Sequence, residues 1–164
     1  MALTLDIAAT YRNPRGVIRR QLAMGQREDR ALMYLVLACG LIFVAQWPRL
    51  SRQAYLDDAV PLDALIGGAL MGWFFIAPLA LYGLAALSRV IARVMGGQGT
   101  WYSARLALFW ALLAAAPLWL LNGLVAGFIG PGAGLQLTSL VALAVFLTFW
   151  GLCLIETERA GVPA

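Results

Sequence analysis

The chain has neither histidine nor lysine; all twelve of its basic residues are arginine. That removes the usual general base, the commonest metal ligand and the Schiff-base nucleophile together. Cysteine is scarce too. Cys39 and Cys153 fall inside apolar stretches, where a thiol behaves as a small buried hydrophobe, and a disulfide between them is not expected. No CxxC or Cys/His spacing points to zinc, haem or an iron–sulfur cluster. Charged residues are only 12% of the 164, about half the share of an ordinary soluble domain. No catalytic residues, no cofactor and no metal site are expected.

What is present is apolar: 62% of residues are hydrophobic and the mean hydropathy is +0.81. The apolar residues fall in runs longer than a soluble core helix needs, with the charge between them, as in a protein solvated by lipid. The runs cover about 31–47, 65–87, 104–129 and 135–155. They predict an all-α, polytopic transmembrane helical bundle with four transmembrane helices, residues 31–156 forming one domain. A fifth span would require the third run to split. At about 1.5 Å per residue that run would measure roughly 40 Å, too long for one upright span. Tilt, protrusion, a kink at Pro117 or a break into two pieces would each absorb the excess.

Local signals mark the boundaries. Trp47 and Pro48 are expected to end the first helix, since tryptophan favours the interface and proline interrupts helices. The connection from Arg49 to Asp63 follows, with Asp57 and Asp58 as a solvated loop. Gly96 and Gly97 should end the second helix, which carries Arg89 and Arg93 one turn apart. Thr100 is a candidate N-cap for the third. Gly130 to Gly134 form a turn, and the fourth helix leaves through Trp150 into Glu156, Glu158, Arg159 and a short tail, 157–164. Pro78 and Pro117 lie well inside their runs, and each is expected to kink its helix; Pro78 should free a carbonyl near Phe74.

The first thirty residues are Arg-rich and lack the apolar core and cleavage site of a signal peptide. Asn13 and Pro14 read as an N-cap and first helical residue, with Gly25 as the stop. Val17, Ile18 and Leu22 share one face of this short helix. The expected placement is interfacial, with Arg15, Arg19 and Arg20 on lipid headgroups; the alternative is a helix packed beneath the bundle. Ten of the twelve arginines lie in this segment, around the connection of the second and third runs (Arg89, Arg93 and Arg105), or in the tail, and only Arg49 and Arg52 lie on the other side. The expected location is a bacterial inner membrane, and the positive-inside rule then predicts that both termini are cytoplasmic. Topology accounts for the basic charge, so no nucleic-acid partner is expected.

Two GxxxG notches stand out: Gly68 with Gly72, flanked by Gly67, and Gly123 with Gly127. Small residues at this spacing let helix backbones approach closely, either within one chain or between chains. Polar residues at membrane depth are few, and none well inside a span is ionisable, which weighs against a pump or proton-coupled carrier. Asn122 is the one side chain that could line an intramembrane site. Its alternatives are an interhelical hydrogen bond or a bond to the carbonyl freed by Pro117.

The string GGQGTWYSARLALFWALLAAAP resembles the bacterial branch of the Yip1 family of multi-span membrane proteins, on Gly96, Gly97, Gly99, Thr100 and Pro117. The likeness in hydropathy and loop pattern extends over about Asp29 to Glu156. Two features depart from that family: the chain ends soon after its fourth apolar run, where five spans are typical, and the acidic motif of eukaryotic members has no counterpart. The resemblance implies a bundle that organises a membrane or recruits proteins to it. The expected partners are the lipid bilayer and a second copy or another membrane protein. A small channel or carrier, and an accessory subunit of a larger complex, are the alternatives.

Overall fold

The computed structural model describes residues 3–57 and 59–159, and these are helical with no strand among them. Seven helices follow in order: α1 (Leu3–Thr10), α2 (Pro14–Ala23), α3 (Glu28–Leu56), α4 (Leu62–Val94), α5 (Trp101–Ala114), α6 (Ala116–Phe128) and α7 (Ala133–Arg159). α3, α4 and α7 are each long and apolar enough to cross a membrane. α5 and α6 meet at a bend of 44° and together make a fourth such length.

α5 is the axis of the bundle. Twelve of its fourteen residues are buried, on every face rather than along one stripe, because α1, α3, α4 and α7 all pack around it. Trp110 and Phe109 are fully enclosed, with Tyr34 edge-on to Trp110 at 5.0 Å and Tyr82 edge-on to Phe109 at 5.1 Å. A soluble helix usually keeps a polar face toward water. α5 has none to keep.

The two inner prolines act differently. Pro117 lies in the first turn of α6, and the backbone N–H groups of Leu118 and Trp119 both turn to Ala115 O, which breaks the run into α5 and α6. At Pro78 the helix does not break. A π-helical turn over Gly72–Ile76 takes up the missing hydrogen bond just before it, and α4 continues to Val94.

Several boundaries differ from the sequence expectation. Trp47 and Pro48 do not end the first long helix: α3 runs through Pro48 to Leu56. Proline costs that helix one internal bond, but packing against α6, its most extensive neighbour, holds the segment helical. The following connection is therefore short, and Asp58 within it lies outside the described residues, as do residues 160–164 of the tail. Within the Gly130–Gly134 stretch the turn is confined to Gly130–Gly132, with Gly130 at φ 86°, and Ala133 already opens α7.

The N-terminal segment is packed on the bundle rather than standing apart from it. Residues 3–10 form α1, a helix the sequence reading had not placed, and α1 and α2 make a hairpin packed on α5 and α7. Asn13 caps α2, its Oδ1 accepting from Gly16 N–H at 2.9 Å, and Pro14 opens it as expected. The apolar face is used up within the protein, since Val17, Ile18 and Leu22 are all buried. That leaves no stripe to sink into lipid. The packed alternative describes α2 better.

Candidate functional site: the arginine-rich end and the two glycine notches

One end of the bundle gathers α2, the start of α3, the connection from α4 to α5, and the end of α7. The α4–α5 connection is built around Glu158. Its Oε2 accepts from Arg89 Nη1 at 3.0 Å and from Gly99 N–H at 2.9 Å, and its backbone oxygen accepts from Gln98 N–H at 3.3 Å. A Cβ on Gly97 or Gly99 would collide with that carboxylate. Gly96 turns the chain at φ 86°, and Thr100 closes a reciprocal capping box with Ser103. Each residue of Gly96-Gly-Gln-Gly-Thr100 except the glutamine side chain thus has a local task.

Arg89 is only 9% exposed, so its pairing with Glu158 is sheltered from water and from salt. The other ion pairs at this end are more open. Glu156 is buried but its partner Arg19 is largely exposed, at 2.6 Å. Arg20 pairs with Asp6 across the α1–α2 hairpin at 2.8 Å, and Arg105 pairs with Glu28, the first residue of α3. Arg15, the third residue expected at headgroups, is exposed and makes no ion pair among the described residues. Between α4 and α7 this end opens a groove of about 700 Å³, lined by Ile91, Met95, Trp150, Ile155, Glu158 and Arg159. Around the other side of α4 a smaller cavity of about 320 Å³ lies against Arg89, Arg93, Thr100 and Trp101. Basic groups therefore rim apolar recesses.

The hairpin also repairs the break at Pro117. With Leu118 N–H diverted, Ala114 O loses its helical donor, and the Tyr11 hydroxyl donates to it at 3.1 Å. Tyr11 is held there edge-on to Phe149 at 5.0 Å, and Trp110 Nε1 donates to Thr10 Oγ1 at 3.1 Å. Of the three readings open for Asn122, the structure shows the interhelical hydrogen bond: its Oδ1 accepts from Thr138 Oγ1 at 2.8 Å and Ser139 Oγ at 2.9 Å. No local signal marked Tyr11 for its task, which arises from a contact across 103 residues.

The two glycine notches have different fates. A Cβ on Gly123 would overlap the Ala45 carbonyl, and one on Gly127 would overlap Pro48, so α6 seats its backbone directly on α3. Gly67, Gly68 and Gly72 of α4 meet nothing within 4 Å. No residue from Leu62 to Ile76 is buried. Ala85, Ser88 and Arg89, in the last third of α4, are its only buried residues.

Among the described residues no three His, Cys, Asp or Glu side chains gather to hold a metal ion, and Cys39 and Cys153 are both buried and unpaired. The chain matches no family model, no curated protein and no solved structure.

Proposed function

We propose that this chain is a non-enzymatic, four-span protein of a bacterial inner membrane, with both ends cytoplasmic, that organises the membrane by recruiting other membrane helices to α4. The observation that carries this reading is the empty notch at Gly67, Gly68 and Gly72 on a helix whose first half has no buried residue. Small residues at that spacing favour close helix association in lipid, where apolar burial alone provides little drive. The orientation rests on the joining of the Arg-bearing segments at one end, where Arg19 meets Glu156 and Arg89 meets Glu158. Exposed arginines there, Arg15 and Arg93 among them, suit contact with anionic headgroups. A recruiting bundle is also what the likeness to the bacterial Yip1 family implies.

The test is to recover the tagged full chain from native membranes in mild detergent, beside a Gly68→Leu/Gly72→Leu variant. A second copy or one stoichiometric membrane partner with the natural chain, lost from the variant, supports the proposal. Equal recovery with both, or solute flux through the pure protein in liposomes, sinks it.

A further inference from the structure

At the end of the bundle opposite the Glu158 connection, α3, α6 and α7 enclose a separate cavity of about 210 Å³. Its polar lining comes from Gln46 and Arg49 of α3, Trp119 and Asn122 of α6, and Ser139 of α7, and no carboxylate lines it. The lining carries positive charge and several donors but no negative charge. Arginine and the tryptophan indole can only donate hydrogen bonds. Trp119 Nε1 is buried without an acceptor, and a buried donor left unpaired is costly. Arg49 makes no ion pair or hydrogen bond among the described residues, whereas Arg52, one turn further on, donates to Gly127 O at 3.3 Å. Asn122 already spends its Oδ1 on Thr138 and Ser139, so its amide N–H₂ is the part left for a ligand.

We propose that this cavity binds a compact oxyanion, a phosphate or carboxylate group, with Arg49 supplying the charge and Trp119, Gln46 and Asn122 supplying directed donors. The volume sets the scale: it lies below the roughly 300–1,000 Å³ of pockets for drug-sized ligands, so it admits an anionic group and little else. Arg49 is exposed at the mouth while Trp119 Nε1 is enclosed. An anion entering past the guanidinium would meet the indole N–H in a site with little water, where charge-assisted bonds are strongest. The anion can come from a lipid headgroup or from a free solute.

The probe is inorganic phosphate, added at constant ionic strength to the full chain in neutral phosphatidylcholine nanodiscs. The unfolding midpoint is followed for the natural chain and for Arg49→Gln, Arg49→Lys and Trp119→Phe. Phosphate stabilises most proteins by exclusion from their surface, so the readout is the saturable difference between chains. The expected result is saturable stabilisation of the natural chain, with apparent affinity about tenfold weaker in Arg49→Gln, partly restored in Arg49→Lys and several-fold weaker in Trp119→Phe. A parallel arm replaces phosphate with phosphatidylglycerol in the disc. Arg49-dependent stabilisation by phosphate assigns a free anion, and the same dependence on phosphatidylglycerol alone assigns a headgroup. Equal responses from the natural chain, Arg49→Gln and Trp119→Phe in both arms would overturn the site.

Discussion

Gly123 and Gly68 open the same four-residue notch on equally apolar helices, yet one is closed by backbone and the other faces open space. The first sits on α6, which seats on α3 through Ala45 and Pro48. The second sits on the first half of α4, which packs against α3 without burying any of its own residues. A small-residue motif therefore marks the capacity for close approach and does not say which helix approaches. The contrast extends to whole helices, since α5 is buried on all faces while the first half of α4 has no buried residue.

The sharpest way to break that contrast is at the closed notch. Gly123→Leu must push α6 away from the Ala45 carbonyl, and overpacking against backbone cannot be relieved by a rotamer change, so a loss of about 3 kcal/mol or more is expected. Reversible unfolding in mixed micelles would measure it. A cost below about 1 kcal/mol would show that α6 does not seat there.

A smaller effect is expected where α4 is anchored. Glu158→Ala leaves the sheltered Arg89 without its carboxylate and deprives Gly99 N–H of its acceptor, which should cost about 2–3 kcal/mol and loosen the end of α4. Faster hydrogen exchange at residues 85–100, with α5 beyond its first turn unchanged, would be the signature. Arg19→Gln, which leaves the buried Glu156 a neutral amide in place of the guanidinium, should cost less, about 1–2 kcal/mol.

The smallest effect on stability belongs to the open notch. Gly68→Leu adds a side chain where nothing lies within 4 Å, so unfolding should change by less than about 0.5 kcal/mol. Association between chains, read by cross-linking in nanodiscs, should fall instead. Equal destabilisation by Gly68→Leu and Gly123→Leu would erase the distinction between the notches.

Much of the molecule is legible one stretch at a time. Asn13 and Thr100 cap the helices they were expected to cap, and Gly96 turns the chain just after α4. The apolar runs correspond to three spanning-length helices and one bent pair. Errors cluster where a distant contact overrides a local preference. Pro48 should end a helix by its own chemistry, but α6 packs against it and the helix continues. Val17, Ile18 and Leu22 share one face of α2, as their spacing predicts, but that face is buried in the bundle. The cavity beside Arg49 is only half legible in the sequence: Gln46, Asn122 and Ser139 stand out as polar residues at depth, but they meet Trp119 and Arg49 only when α3, α6 and α7 converge.

The sequence by itself determined the apolar helical character, the approximate runs, the caps and the crowding of arginine into a few segments. These depend on hydrophobicity, backbone preference and charge carried by neighbouring residues. Tertiary structure decided which helix became the axis, which glycine notch closed, and that Tyr11 would supply the donor missing at Ala114. Leu, Ala and Gly satisfy lipid and protein neighbours almost equally well. Only the convergence of distant segments separates one environment from the other.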